Sequence, residues 1–333
     1  MASLDIGIDL GTYSSYAADA GGKVILHEPS VVAVDKRNGK VFAAGGRVAQ
    51  MIGRTPEYIE VIRPLRDGVI SDFAMTEQLI KHMLGKVTHN QLVKPRVCLC
   101  VPSEITNVES GAVIDATMAA GARKVYLIEE PVAAAIGAGV NLALPNGNMI
   151  IDVGGGTTDI AVLSFNGVVC KTSVRVAGHA FDEVLIKYMR TERGLLIGER
   201  TAERVKMEIG SVHPGLPEVF TDVKGRDVIS GLPKKITLGR SETLSVLRET
   251  MDQILAAAVN VLERTPPELA ADIRENGAIL TGGGAMLTGF AESVSARTKI
   301  PATLAENPEK CVAIGTAKSF KYLGKIYDGF VRE

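Results

Sequence analysis

The chain has 333 residues, 46% of them hydrophobic, which is enough for a buried core in two domains or in one two-lobed unit. Its 37 Lys and Arg residues nearly balance its 38 Asp and Glu residues, so the charge excludes the extended basic surface typical of nucleic-acid binding. No run of about 20 apolar residues occurs, and we therefore expect a cytoplasmic protein that does not span a membrane.

The first predicted element is a strand over residues 4–8 that runs into the motif Asp9-Leu10-Gly11-Thr12. Turn glycines follow at 21–22, so we expect an antiparallel hairpin around the Gly-Thr turn. Glycine lets the backbone approach a ligand closely, and such a turn directs N–H groups and a hydroxyl towards one point. The turn suits a phosphate, although taken alone it would be no more than a tight hairpin.

Helical spacing follows at residues 76–87 and 109–120. The next element is a strand that ends in two acids, the second being Glu130, and continues into an alanine-rich helix with Pro131 at its first position. A carboxylate at this junction favours the positive end of the helix. Alternatively, Glu130 holds the water that attacks a γ-phosphate, a role that phosphoryl transfer requires.

The first motif is repeated in the middle of the chain, where residues 149–151 precede Asp152-Val153-Gly154-Gly155-Gly156-Thr157. The repetition predicts two related halves, each opening with a hairpin and a phosphate-binding turn. If the halves pack around a cleft, Asp9 and Asp152 face each other. Together with phosphates they favour a hydrated Mg²⁺, which takes few protein ligands directly. The alternative is that each Asp only caps its own turn.

The second half also mixes strands with helices, which indicates an α/β fold. A helix over residues 198–209 places Glu203 and Lys206 on one face, either beside a ligand or as a surface ion pair. A third glycine cluster at 282–284 follows the apolar strand 278–280. This cluster either admits an adenosine moiety close to the backbone or only forms a strand-to-helix turn.

The repeat also predicts a domain division. Lobe I spans residues 1–148, with an inserted subdomain at about 32–65. Lobe II spans 149–333, with an insert at about 180–241, because these two segments do not resemble each other. A last helix at about 315–333 is expected to pack back on lobe I.

Taken together, the motifs resemble those of the actin, sugar-kinase and heat-shock-chaperone ATPase superfamily, and specifically the MreB-type bacterial actins. The similarity runs nearly end to end, and it is carried by residues 6–12, 27–33, 51–56, 62–70, 127–137, 152–161, 197–210, 265–269 and 280–284. Several motifs in the same order are far stronger evidence than one glycine loop.

This resemblance implies an actin-like, ribonuclease H-like duplicated ATPase fold of four subdomains, with ATP and Mg²⁺ in the central cleft. The residues it implies for nucleotide binding are Gly11, Thr12, Tyr13, Ser14, Gly154, Gly155, Gly156, Glu203, Arg204, Val205, Lys206, Gly282, Gly283, Gly284 and Ala285. Catalysis is assigned to Glu130, Thr157 and Asp152. Asp9 and Asp152 are expected to act on the metal through water.

The chain departs from the family pattern at two places. Tyr13-Ser14-Ser15 stands where the family usually has Ala-Asn-Thr, and His179 follows Gly178 where the family usually has an acid. The first change replaces an amide by a hydroxyl and adds a bulky ring, so nucleotide preference and hydrolysis rate are both open. The second change alters the charge at the cleft.

In MreB-like proteins an apolar loop contacts the membrane surface. The matching loop here spans residues 89–95, and its apolar residues are Leu92 and Val93, with the basic neighbours Lys94 and Arg96. The resemblance therefore favours a peripheral position on the inner face of the cell membrane. The alternative is an ordinary loop that happens to carry two apolar residues.

The function implied by the resemblance is a slow ATPase that polymerises with itself into filaments. These filaments would associate with the inner membrane and with membrane-anchored cell-wall elongation proteins, and they would organise wall synthesis and rod shape. One alternative is an actin-like filament that positions plasmids or organelles. A small-molecule kinase of the same fold is a further alternative, but the sequence offers no candidate for the additional carboxylate that a kinase needs.

Overall fold

The computed structural model describes residues 4–88, 93–326 and 329–331. In these residues the first half of the chain folds into β1 (Asp5–Leu10), β2 (Ser14–Asp19), β3 (Val24–Pro29), β4 (Val32–Asp35), β5 (Lys40–Ala44), α1 (Gly46–Ala49), β6 (Ile59–Ile62), β7 (Leu65–Arg66), β8 (Val69–Ile70), α2 (Phe73–Val87), β9 (Arg96–Val101), α3 (Asn107–Ala119), β10 (Lys124–Glu129) and α4 (Glu130–Gly137).

The second half folds into β11 (Asn148–Val153), β12 (Thr158–Ser164), β13 (Gly167–Val174), α5 (Gly178–Thr191), β14 (Leu195–Leu196), α6 (Glu199–Ile209), β15 (Phe220–Asp227), β16 (Pro233–Gly239), α7 (Arg240–Glu263), α8 (Pro267–Asn276), β17 (Ala278–Thr281), α9 (Phe290–Thr298), β18 (Ala302–Leu304), α10 (Cys311–Lys318) and β19 (Phe330–Val331). None of the helices in the described residues is long and apolar enough to cross a bilayer.

Each half is built on one large sheet, and the two sheets share a pattern. In the first, β1 pairs antiparallel with β2 and parallel with β9, in the strand order β19-β10-β9-β1-β2-β3. In the second, β11 pairs antiparallel with β12 and parallel with β17, in the order β13-β12-β11-β17-β18. The registers Leu10↔Ser15 and Val153↔Thr158 close the two hairpins around the glycine turns. The repeated motif therefore occupies equivalent places in both halves.

Helices α4 and α10 lie between the two sheets and pack directly on each other. Their apolar residues form one cluster with residues of both sheets, including Ile128 and Ile150. Glycines make this close packing possible, because a Cβ at Gly137 would lie 1.8 Å from the carbonyl oxygen of Cys311. A Cβ at Gly315 would lie 1.7 Å from the carbonyl oxygen of Ala133. The two halves are therefore joined through a helix pair that tolerates no side chain at these two glycine positions.

Smaller sheets lie within the segments that the sequence marked as inserts. Strands β4, β5 and β6 form one three-stranded sheet, and β14, β15 and β16 form another. Each has an apolar cluster of its own, which contains Val48 and Ile59 in the first half and Val205 and Val223 in the second. Helix α5 spans from the main core, where Phe181 is buried, to the second insert, where Met189 is buried. The exact domain borders stay a prediction.

The C-terminal helix is shorter than the predicted 315–333. Helix α10 covers only Cys311–Lys318, and a 3₁₀ turn follows at Ser319–Tyr322. The helical path ends because Leu323 is extended and Gly324 has a positive φ of 77°, a conformation that glycine adopts readily. The chain then adds β19 antiparallel to β10, at the edge of the first-half sheet.

Candidate functional site

A cavity of about 480 Å³ lies between the two halves, and both glycine turns face it. Clefts between lobes are common ligand sites. The predicted site residues that line it are Asp9, Gly11, Thr12, Tyr13, Ser14, Glu130, Asp152, Gly154, Gly155, Gly156, Thr157, Glu203, Lys206, Gly282, Gly283 and Gly284. Folding thus brings together motifs from both ends and the middle of the chain.

The two glycine turns touch each other across the cavity. The backbone N–H of Gly68 donates to Thr12 Oγ1 over 3.0 Å, which fixes the first turn. In the second turn, the N–H of Gly154 donates to the carbonyl of Thr157 over 2.9 Å. A Cβ at Gly156 would lie 2.7 Å from Thr12 Oγ1, so only glycine fits where the turns meet. The arrangement presents backbone and hydroxyl groups from both halves to a ligand the size of a phosphate chain.

Asp9 and Asp152 lie at the ends of equivalent strands and both face the cavity. Burial raises the pKa of Asp9 to about 6, although a hydrogen bond from Cys100 Sγ opposes the shift. Burial likewise raises the pKa of Asp152 to about 7, against a 2.6 Å hydrogen bond donated by Thr281 Oγ1. A cation between the two carboxylates would favour their charged forms and remove this penalty.

These residues fit a hydrated Mg²⁺ rather than a protein-enclosed metal. In the described residues no cluster of three or more Asp, Glu, His or Cys side chains could hold a metal ion. Magnesium in nucleotide sites is typically held by one or two carboxylates, by phosphate oxygens and by water. Asp9 and Asp152 meet that requirement.

Glu130 lies at the first position of α4 and faces the cavity, as the sequence predicts. Burial raises the pKa of its carboxyl well above its usual range, and the negative charges of Asp159 and Asp152 add to this shift. Asp159, which the sequence analysis did not single out, lies outside the cavity lining and acts on Glu130 through its charge. It is fully buried on β12 and accepts a 2.9 Å hydrogen bond from the N–H of Ser103. A charged residue directly before the apolar run 160–163 was the signal that could have identified it.

Helix α6 directs only part of its predicted segment towards the cavity. Lys206 Nζ donates to Asp182 Oδ2 over 2.9 Å and to the carbonyl of Gly178 over 2.8 Å, so the alternative of a Glu203–Lys206 ion pair is wrong. Asp182, which the sequence analysis did not single out, is the partner that holds Lys206 at the cavity. Glu203 lines the cavity beside it.

Three residues assigned to nucleotide binding do not line the cavity. Arg204 points outwards and donates to the carbonyl of Asp222 over 3.0 Å, and Val205 is buried in the core of the second insert. Successive helical residues are about 100° apart, so these two cannot share a face with Glu203 and Lys206. Ala285 is buried in the main core of the second half, behind the glycine cluster.

The predicted membrane loop is described only in part. Leu92 lies outside the described residues. The side chain of Val93 is 41% exposed, so it is accessible from solvent. The role of both residues stays a prediction.

Replacing Asp152 with Asn should stabilise the nucleotide-free protein. The carboxyl has a pKa of about 7 when folded and about 3.8 when unfolded. Above pH 3.8 the carboxyl ionises in the unfolded state, which lowers the free energy of that state, whereas in the folded state it stays protonated up to about pH 7. Asp152 therefore lowers the free energy of unfolding, and this loss grows as the pH rises from 3.8 to 7. We expect a gain in unfolding free energy on the order of 2–4 kcal/mol at pH 8 that shrinks at pH 5.

Urea unfolding with EDTA and without nucleotide would measure this gain at both pH values. A gain of equal size at pH 5 and pH 8, or a loss at pH 8, would contradict the assignment of a buried, unfavourable charge to Asp152.

The family model described as MreB/Mbl protein matches residues 3–328. The chain is 47% identical to the cell shape-determining protein Mbl of Bacillus subtilis (strain 168) over 98% of both chains. It is 46% identical to the cell shape-determining protein MreB of Escherichia coli (strain K12), over 97% of this chain and 95% of that one.

Solved structures of related proteins have the same fold. The crystal structure of MreB5 of Spiroplasma citri bound to AMPPNP matches with a TM-score of 0.92 and 36% identity, over 98% of both chains. A MamK double helical filament, at 20% identity, shares the fold with a TM-score of 0.80 over 96% of this chain and 99% of that one. The predicted actin-like α/β fold is confirmed. The chain belongs to the MreB/Mbl family of bacterial actins.

Proposed function

We propose that the chain binds and hydrolyses ATP in the cavity between its halves and polymerises into filaments that determine cell shape. The observation that carries this proposal is the meeting of two equivalent glycine turns and two equivalent carboxylates at one cavity. Relatives at 46–47% identity are cell shape-determining proteins, and a relative from Spiroplasma citri was solved with AMPPNP and with ADP.

In this proposal the backbone N–H groups of the turns at Gly11 to Ser14 and at Gly154 to Gly156 hold the phosphates. Bound Mg²⁺ would neutralise phosphate charge, with Asp9 and Asp152 holding its water shell. Glu203 and Lys206 would lie beside the ribose and adenine, and the glycine cluster 282–284 beneath the nucleotide.

Glu130 is proposed to accept the proton of the attacking water, and the Thr157 hydroxyl to orient that water. Because burial favours the neutral form of Glu130, the carboxyl must lose its proton before it can act as a base. This requirement is one reason to expect slow turnover. Slow hydrolysis after assembly would let the filament persist while ATP remains bound and weaken once ADP is left.

The cellular part of the proposal places the filament on the inner face of the cell membrane. Leu92 and Val93 would contact the lipid, and membrane-anchored cell-wall elongation proteins would be the partners. The exposed side chain of Val93 supports this placement.

Sedimentation of the purified chain tests assembly. With ATP and Mg²⁺ we expect protein in the pellet and filaments by negative-stain microscopy, and less pelleted protein with ADP or without nucleotide. The same samples with vesicles of anionic phospholipid test the membrane part, using Val93→Ser as the variant. A chain that stays in the supernatant under every condition, lipid included, would overturn the filament proposal.

A further inference from the structure

The two departures from the family pattern contact each other. Tyr13 belongs to the first glycine turn, and His179 is the second residue of α5 in the second half. The Tyr13 hydroxyl is hydrogen-bonded to His179 Nδ1, and the ring centroids lie 5.3 Å apart. The Tyr13 ring also packs against the second glycine turn, since a Cβ at Gly155 would lie 2.8 Å from Tyr13 Cδ2. One side chain thus reaches from the first half across the cavity to two elements of the second half.

Charged groups on both sides extend this contact. The Arg63 guanidinium lies 4.2 Å from the centroid of the Tyr13 ring, and its Nη2 is 3.2 Å from Glu199 Oε2 in the second half. On the other side, His179 Nε2 lies 3.2 Å from Glu183 Oε1. The series of contacts therefore runs from α6 in the second half, through Arg63 and Tyr13 in the first half, to α5 in the second half.

Of these contacts, the Tyr13–His179 pair contributes most to holding the two halves together. Arg63 and Glu199 are exposed enough for water and salt to screen their ion pair, and such pairs contribute little. Tyr13 is more enclosed, and burial raises the pKa of its phenol well above the usual range, so the hydroxyl keeps its proton. The hydroxyl and Nδ1 share one hydrogen bond, and the tautomer of the imidazole decides which of them donates.

We propose that Tyr13 and His179 form a latch across the cleft, a pair of positioning residues that hold the two glycine turns together and slow the release of bound nucleotide. This inference rests on the proposed nucleotide binding. Moving the two turns apart would open the space around a bound ligand, and it would break the Tyr13–His179 hydrogen bond and uncover the ring packed on Gly155. The latch thus sets nucleotide retention, independently of the residues proposed for hydrolysis.

A double-mutant cycle tests the latch. A fluorescent ribose-labelled ADP is bound to the full chain with Mg²⁺ and chased with unlabelled ADP in a stopped-flow instrument. We expect Tyr13→Phe and His179→Ala each to speed release about three- to tenfold, as loss of one hydrogen bond predicts. Because both variants break the same contact, the double variant should release ADP no faster than the quicker single variant.

Tyr188→Phe is the matched control, since it removes a tyrosine hydroxyl that donates to Glu242 over 2.9 Å within one half. Its release rate should equal that of the wild type. Release rates unchanged in both Tyr13→Phe and His179→Ala, or effects that multiply in the double variant, would overturn the latch while leaving the proposed function intact. A wild-type chain that binds no labelled nucleotide would instead overturn both.

Discussion

Replacing Glu130 with Gln should slow phosphate release from ATP by at least about 100-fold while ATP binding is retained. Loss of a positioned general base typically costs a factor of about 10²–10⁴, and Gln keeps the shape of the side chain but cannot accept the proton. The variant is also expected to form filaments that persist longer in ATP, because hydrolysis is proposed to weaken them. Single-turnover phosphate release and sedimentation over the same time course measure both effects.

Glu268→Gln is a suitable control, because Glu268 occupies the first turn of α8 as Glu130 occupies that of α4. It lies outside the cavity, so hydrolysis should proceed at the wild-type rate. A Glu130→Gln variant that hydrolyses ATP within a fewfold of the wild type would show that Glu130 is only a helix N-terminal carboxylate, the alternative left open by the sequence.

Gly315→Ala should destabilise the fold by about 3 kcal/mol or more. The added methyl would lie 1.7 Å from the carbonyl oxygen of Ala133, so α10 and α4 must separate along their contact. Overpacking of a rigid core typically costs 1–3 kcal/mol, and the obstacle here is a backbone atom that no side-chain rotation can relieve. Gly137→Ala should behave alike, with its methyl 1.8 Å from the Cys311 carbonyl. Urea unfolding of the nucleotide-free variants measures the loss.

Two other helical glycines provide the comparison. A Cβ at Gly85 in α2 or Gly111 in α3 would meet nothing within 4 Å. Alanine there should stabilise the protein by about 0.5–1 kcal/mol, because it restricts the unfolded chain without steric cost. If Gly315→Ala were as stable as Gly85→Ala, the packing of the two halves through α4 and α10 would be wrong.

Local patterns predicted the parts of the fold that local chemistry determines. The hairpins around Gly11 and Gly154 were predictable because strand, glycine turn and strand follow each other directly. Helices α2 and α3 were predicted to within a few residues, and their starts are capped by Asp72 and Thr106. The repeated motif then implied a cleft between two turns, and the family resemblance is confirmed.

Contacts between distant segments were not predictable in the same way. Nothing near Tyr13 indicates that its hydroxyl meets His179, since that contact exists only after the halves pack. Asp182 could not be predicted as the partner of Lys206, because that contact also exists only in the folded protein. Assigning all of 203–206 to the nucleotide ignored helical periodicity, which turns Arg204 and Val205 away from the cavity. Extending the last helix to 333 overlooked Gly324.

The most direct test of the central claim is the binding of ATP in Mg²⁺, measured by isothermal titration calorimetry on the wild type and on Gly156→Val. We expect one ATP per wild-type chain and no measurable binding to the variant, whose Cβ would lie 2.7 Å from Thr12 Oγ1, where the two turns meet. A thermal unfolding scan of the same sample establishes that the variant is folded. A wild-type chain that binds no ATP, or a folded Gly156→Val that binds it as tightly as the wild type, would contradict a nucleotide site between the turns.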